Sequence, residues 1–315
     1  MGVSRFVHPL TREPLTSDQQ GNLHDSRGLV AESHGGSFDF VLDEHSRAER
    51  KFYDQTYADG GWWAENTLNS TDYDALWKLE PGSRGYLASL GNVFGKRVLL
   101  LGNGTSIKEF LFVQRGAHVT FTDLSFPAVL YAKQRYLQSN LGRPEDCEFH
   151  AVNAYYLPFA DESVDYVCAD AVVHHLDDLK SLFAGVHRVL KPGGICRFAD
   201  TAYSSLWQGA KKGLLRGLQK RIHEKQGISP EDVKATERGG YTREELLALA
   251  SDIGFSDVYY KRVALLDYLL WRTRCKLKMP WVLWFRPAIR AIDTALSRTR
   301  IMDSQGISLI FGFDK

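Results

Sequence analysis

Cysteine is scarce in this 315-residue sequence, and what there is stands apart. Cys147, Cys168, Cys196 and Cys275 form no C-x-x-C pair and no regular framework. That excludes a disulfide-stapled scaffold and reads all four as reduced residues, three of them in or beside strands. Net charge is missing too. Thirty-nine Lys and Arg stand against 38 Asp and Glu, a balance of +1, so no global field recruits nucleic acid. No stretch reaches the ~20 apolar residues that a membrane span needs. The amino terminus, MGVSRFVHPLTREPL, has no apolar core for a signal peptide and carries Phe6 where myristoylation prefers Ser or Thr. The expectation is a cytoplasmic protein, at most peripheral at a membrane, built as one large domain or as a domain with additions.

What the chain does have is strand–helix alternation, organised around Val98 to Asp123, VLLLGNGTSIKEFLFVQRGAHVTFTD. A continuous apolar run leads into a sharp turn at Gly102-Asn103-Gly104. A helix-like segment follows, and a second apolar run ends on Asp123. A short apolar run before a glycine-rich turn reads as a buried parallel strand, and Thr105 and Ser106 can cap the helix after it. Glycines let the backbone approach a ligand, and a carboxylate at the end of the second strand can accept from ribose hydroxyls; the unit reads as a nucleotide pocket. A dinucleotide fold wants a third glycine for close helix–strand packing. Ile107 stands there instead and disfavours a pyrophosphate seat.

The stretch resembles the first motif of the class I S-adenosylmethionine-dependent methyltransferases, h-h-D/E-h-G-x-G-x-G. Gly102 and Gly104 match its glycines, and Asp123 its ribose-binding acid. It departs at Leu100, where the motif is acidic, and at Ser106, where the motif has glycine. Ala151-Val152-Asn153-Ala154 stands where the family often has G-D-A. Leu157-Pro158-Phe159, followed by Asp161, Ser163, Asp165 and Val167, resembles its L-P-F-x-D-x-S-F-D-h-V, and Val189 to Gly194 resembles its h-L-K-P-G-G turn. The resemblance covers roughly Gly91 to Thr201 and is nearest the type 11, ubiquinone/menaquinone-like small-molecule group. It implies an α/β, Rossmann-like seven-stranded sheet of order 3-2-1-4-5-7-6 and S-adenosyl-L-methionine as cofactor, with no metal. It places Gly102, Asn103 and Gly104 at the cofactor turn, Asp123 on the ribose, Leu124 along the adenine face, and Asn153 and Ala154 at the adenine edge. Asn153 can accept from the adenine amino group through its amide oxygen. Leu100 removes a carboxylate that commonly helps hold the cofactor's amino end.

Patterning along the chain predicts strands at Arg97–Gly102, His118–Asp123, Glu148–Asn153, Val164–Asp170 and Gly194–Asp200, with helices near Ser106–Arg115, Pro127–Asn140 and Asp178–Leu190. Thr242 to Ile253 is a further helix with a cap at Thr242, Glu245 three residues later and Gly254 as its stop. Asp257–Val263 is the sixth strand and Ile307–Phe313 the last, which the family places antiparallel beside it. Residues 1–42 read as a small β- and turn-rich appendage, laid out like a zinc ribbon without its cysteines. His8, His24 and His34 make no convincing metal site alone. Residues 43–95 read as a helical lid region and 96–315 as the methyltransferase domain, with basic helical additions near 205–228 and 265–302.

Tyr53 and Tyr57 lie four apart on one helix face, either covering the methionine end of the cofactor or packing the helix on the sheet. Trp62 and Trp63 either wall an acceptor pocket or pack at the surface. Lys211–Lys225 is a basic amphipathic helix. Leu265–Arg300 is an insertion before the last strand that carries Trp271, Trp281, Trp284 and Phe285 among eight Arg and Lys, against Asp267 and Asp293. It reads as a lid with solvated charges, as a surface for a membrane or lipid-linked substrate, or as a dimer face.

Methyl transfer from a sulfonium needs chiefly alignment, and an oxygen acceptor also benefits from a base. The end of the fourth strand reads Asp170-Ala171-Val172-Val173-His174-His175. Histidine titrates near neutrality, so His174 and then His175 are the candidate bases, with a structural role as the alternative for either. Asp170 is a candidate for orienting a histidine or meeting the cofactor. The leading expectation is a methyltransferase for a small-molecule acceptor, an oxygen of a glycan, lipid-linked sugar or secondary metabolite. The alternatives are a degenerate cofactor-binding regulatory module and a different enzyme, such as a cyclase or decarboxylase, on the same scaffold. A macromolecular acceptor is disfavoured, since DAVV stands where many nucleic-acid enzymes carry N-P-P-Y.

Overall fold

The computed structural model describes residues 2–57, 72–79, 82–202, 240–270, 284–297, 299–306 and 308–315. Trp62, Trp63, the basic stretch 211–225, Trp271, Cys275, Trp281 and the basic residues among 271–283 lie outside them.

The centre is a seven-stranded sheet. Its parallel core comprises β5 (Arg97–Leu101), β6 (His118–Asp123), β7 (Cys147–Ala151), β8 (Val164–Asp170) and β9 (Leu190–Thr201). The last strand, β11 (Ser308–Asp314), runs antiparallel between β9 and β10 (Asp257–Val263), giving the order β7-β6-β5-β8-β9-β11-β10. This is the order and the handedness of pairing that the family resemblance implied.

β5 explains the layering. Leu99 and Leu101 point into one apolar cluster with Val167, Phe183, Phe198, Phe311 and Phe313, while Val98 and Leu100 point into another with Phe110, Phe121, Tyr136 and Phe149. Successive side chains alternate across a strand, so a strand buried on both faces reads as one continuous apolar run. Helices α2 (Tyr73–Leu79), α3 (Ser83–Leu90), α4 (Phe110–Gln114) and α5 (Phe126–Ser139) pack around the second cluster. The first is covered by α6 (Leu179–Val189) and α7 (Arg243–Ile253).

Local chemistry sets the helix ends. Ser125 Oγ accepts from Ala128 N–H at the start of α5, and Asp178 accepts from Ser181 N–H at the start of α6. Thr242 and Glu245 bond each other's backbone in the capping box foreseen for α7, and Gly254 ends that helix in the left-handed region. One expectation fails here. The helix does not start at Thr105 or Ser106: 106–112 closes by bonds between residues three apart, and α4 begins only at Phe110, with Glu109 at its N-cap position. Ser106 Oγ donates to Glu109 instead, at 2.6 Å.

The amino-terminal residues form a four-stranded antiparallel sheet, β1 (Gly2–Val7), β2 (Pro14–Ser17), β3 (Leu23–Asp25) and β4 (Gly28–Ala31). It shares the first cluster: Phe6, Leu15, Leu23, Phe38 and Phe40 are buried with the main sheet's residues. The strap after it pairs with the β7 edge, where Phe40 N–H donates to Ala151 O and Ala151 N–H to Phe38 O. The three amino-terminal histidines are spent separately. His8 Nδ1 accepts from two backbone N–H groups, His24 pairs with Asp18 at 3.0 Å, and His34 packs edge-on against Phe126.

In the insertion, the described part corrects the picture of solvated charges. Asp267 is buried and receives Arg286 through two bonds, 2.6 and 3.1 Å, and Arg290 at 2.8 Å. Asp293, also buried, accepts from the backbone of Leu266 and Asp267. These charges tie α8 (Arg286–Leu296) down, while Trp284, Phe285 and Ile292 are left exposed. The reversal has a simple cause: Asp267 closes a guanidinium fork and Asp293 closes two backbone N–H groups, so each carboxylate is satisfied when buried.

Candidate active site

The carboxyl ends of β5, β6, β8 and β9 meet at the Gly102-Asn103-Gly104 turn. Gly102 has φ +61° and Gly104 φ +53°. A Cβ on Gly102 would lie 2.6 Å from Val172 Cγ2, and one on Gly104 3.0 Å from the Tyr57 hydroxyl. Both positions need glycine for conformation and for space.

Asp123 closes this turn. Its carboxylate accepts from Gly104 N–H at 2.7 Å and from Ser125 N–H at 2.9 Å. Burial pushes its pKa up to about 6, with the nearby Asp54 adding to the rise and the backbone donors opposing it. Leu124 and Ala154 lie half-buried on the same side. Asn153 is turned toward helix α1 (Glu44–Tyr57): its Nδ2 donates to Ser46 Oγ at 2.5 Å, and its Oδ1 accepts from Tyr155 N–H at 2.8 Å. The amide oxygen expected to meet an adenine therefore already serves the backbone.

Helix α1 lies over the strand ends. Asp54 accepts from Ser125 Oγ at 2.6 Å, and Arg50 pairs with Asp39 at 2.6 Å. Tyr53 and Tyr57 stack with ring centroids 6.3 Å apart. Tyr57 covers Gly104, and Tyr53 meets His175 edge-on.

Beside the turn opens a cavity of about 400 Å³, walled by Tyr57, Leu100, Gly102, Gly104, Asp170, Asp200 and Tyr268 among others. Its charged side was not foreseen. Lys108, 3% exposed, pairs through Nζ with Asp170 and lies 3.9 Å from Glu109 Oε1. Nζ also sits 4.8 Å from the centre of the Trp77 ring, whose Nε1–H donates to Lys108 O. Burial raises the Glu109 pKa, against the lowering by Lys108 and Ser106. The signal was present in the sequence as Lys108-Glu109, charged residues where an apolar helix start was read.

The histidines follow β8 on a tight turn. Ala171 holds φ +57°, a left-handed conformation rare for alanine that re-aims the chain after Asp170. The carboxylate beside His174 is Asp200, at the end of β9, not Asp170. His174 N–H donates to Asp200 Oδ2 at 3.0 Å, and its Nδ1 stands 2.9 Å from Oδ1, close but not aligned as a linear hydrogen bond. His175 stacks on His174 with centroids 4.0 Å apart. Asp170 and Asp200 line the cavity, and His174 meets it through its contact with Asp200.

The residues present fit S-adenosylmethionine. A cradle that excludes Cβ atoms, a buried carboxylate beneath it and a cavity bearing charges of both signs suit a nucleoside joined to a zwitterion. The comparisons agree with the fold. Residues 99–198 match the family described as methyltransferase domain. A demethylmenaquinone methyltransferase of Renibacterium salmoninarum is 28% identical over 180 residues, 56% of this chain and 73% of that protein. A ubiquinone biosynthesis O-methyltransferase of Escherichia coli is 29% identical over 145 residues, 46% of this chain and 57% of that protein. Among solved structures, a phosphoethanolamine N-methyltransferase of Haemonchus contortus in complex with S-adenosyl-L-methionine superposes with a TM-score of 0.51 at 17% identity, covering 84% of this chain and 66% of that one.

Proposed function

We propose that this chain, which belongs to the class I S-adenosylmethionine-dependent methyltransferases through its type 11 domain, transfers a methyl group to an oxygen of a small-molecule acceptor. The observation that carries the oxygen is the pairing of His174 with Asp200, a residue that lines the cavity. When bound, the cofactor supplies a methyl group already activated on a sulfonium. The chain's own residues then align and deprotonate. The Gly102–Gly104 turn lets the backbone approach the nucleoside, and Asp123 receives the ribose hydroxyls. Asp200, bonded to the His174 backbone N–H and 2.9 Å from Nδ1, stabilises the charged ring, leaving Nε2 to take the acceptor's proton as the new bond forms. Asp170, engaged with Lys108, is assigned no part in orienting the histidine.

Residues 1–42 act in this reading as an appendage on the sheet, 43–95 as the lid bearing Tyr53 and Tyr57, and 96–315 as the transferase unit. The acceptor class is a glycan, a lipid-linked sugar or a secondary metabolite. The exposed Trp284, Phe285 and Ile292 support delivery of a lipid-linked acceptor from a membrane surface. A second reading, a cofactor-binding module without turnover, rests on Leu100 lining the cavity where the family's motif has an acid. Isothermal titration with S-adenosylmethionine and S-adenosylhomocysteine, followed by an acceptor screen for methyl transfer, tests both. Micromolar binding with multiple turnovers supports the transferase, binding without turnover on any acceptor class supports the module, and no binding by folded, cofactor-free protein overturns both.

A further inference from the structure

We infer that Lys108, with Asp170 opposite it, holds the amino-acid end of the cofactor and takes over the work of the carboxylate that Leu100 lacks. The inference rests on the methyltransferase reading above and adds to it which residues grip the zwitterion.

Three observations carry it. First, Leu100 is 3% exposed and lines the cavity, so the usual acidic position offers this cavity only methyl groups. Second, the same wall carries a charged group that burial makes costly to keep for packing alone. Lys108 is 3% exposed and Glu109 6%, and both line the cavity with Asp170. Third, the lysine is fixed in direction. The Trp77 ring lies against its Nζ, and the Trp77 indole holds its backbone carbonyl, so the ammonium stays at the wall rather than swinging to solvent.

The charge pattern fits a zwitterion. Two carboxylates share one ammonium here, and burial pushes the Glu109 carboxyl toward its neutral form. An incoming amino-acid group adds no net charge. Its carboxylate is met by Lys108 and its ammonium by Asp170, so every ion keeps an opposite neighbour and desolvation is compensated on both sides.

The test is a ligand-by-variant cycle read by titration calorimetry. The ligands are S-adenosylmethionine, its decarboxylated analogue, which keeps the ammonium, and 5′-methylthioadenosine, which has neither charge. Wild-type protein should bind S-adenosylmethionine at least 10-fold tighter than the decarboxylated analogue. Lys108→Met should remove most of that preference while leaving 5′-methylthioadenosine affinity within about twofold. Because Lys108→Met leaves the half-buried Asp170 without its ammonium, Lys108→Met/Asp170→Asn is measured beside it, with melting curves for both; the double variant restores neutrality and should also lose the preference. A preference retained by either folded variant overturns the assignment while leaving the methyltransferase reading intact. Wild-type protein that binds none of the three ligands overturns both.

Discussion

On the proposed ribose assignment, Asp123 ties cofactor affinity to pH, and the upward shift of its carboxyl sets the window. Its carboxyl is buried beneath the glycine turn and titrates at about 6, against 3.8 for the free side chain. A ribose hydroxyl donates to the carboxylate, not to the protonated acid, so binding draws on the ionised fraction. That fraction is about nine-tenths at pH 7 and about one-tenth at pH 5, which weakens S-adenosylhomocysteine roughly 10-fold over the interval, or about 1.4 kcal/mol. The same shift acts on stability with a definite sign. The folded state holds the proton more tightly than the unfolded chain, so this contribution is fully present below pH 3.8 and is lost as pH rises through about 6. Two pKa units amount to about 3 kcal/mol, an upper figure for one buried group. Calorimetric titration in two buffers of different ionisation enthalpy reads the affinity and the protons released together, and denaturant melts at each pH read the stability. Asp123→Asn should bind weakly and show neither slope. A wild-type affinity flat between pH 5 and 7, or an equal slope in Asp123→Asn, would refute the ribose assignment.

His174→Ala should lower turnover by about 10²-fold or more at unchanged S-adenosylhomocysteine affinity; a near-wild-type rate in the acceptor assay assigns the ring a structural role. Asp200→Asn should also slow turnover, since the ring loses the anion that stabilises its charged form, at unchanged S-adenosylhomocysteine affinity; a wild-type rate in the acceptor assay would count against the pair. Gly102→Ala, with its Cβ 2.6 Å from Val172 and φ at +61°, should cost about 1–3 kcal/mol in chemical denaturation and weaken cofactor binding. Thr242→Ala removes a capping box far from the cavity and should cost about 1 kcal/mol of stability with kcat unchanged.

The sheet was legible because its signals are local. RVLLL is buried on both faces and reads as one apolar run, while HVTFTD keeps a β-rich pattern up to the acid that ends it. The α7 cap was legible for the same reason, since Thr242, Glu245 and Gly254 act within one turn of themselves. The site was legible only in part. Asp123 and the two glycines belong to one contiguous unit, but Asp200 reaches His174 from a strand 26 positions later in the chain, and no local pattern couples them. Lys108 stood in plain view in the sequence, but its burial did not, for the same non-local reason. A lysine at the start of a short helix looks like a solvated charge until Trp77, from a helix 31 residues earlier, is laid across it. The insertion misled in the same way, because Asp267 and Asp293 were outnumbered by basic residues in the sequence, while in the fold Asp267 is buried against Arg286 and Arg290 and Asp293 against backbone N–H groups.

The division of labour in the cavity follows from these distances in sequence. Everything assigned to the cofactor's nucleoside lies on β5, β6, β7 and the turns after them, where parallel pairing fixes the backbone by hydrogen bonds along the whole strand. Lys108, assigned to the amino-acid end, belongs to the same unit, in the segment after β5, while its partner Asp170 and the acceptor-side Asp200 reach the cavity from the ends of β8 and β9. Helix α1 spans the two sides: Ser46 meets Asn153 at one end, and Tyr57 covers Gly104 at the other. In this structure the Asn153 amide donates to the helix through Nδ2, while Oδ1, the atom expected to accept from an adenine amino group, accepts from Tyr155 N–H. A nucleoside entering beside Asn153 therefore shares that oxygen with the backbone, and the net affinity expected there is small. On the proposed assignments, cofactor affinity then rests chiefly on Asp123 and Lys108, the two buried charges given to opposite ends of the ligand.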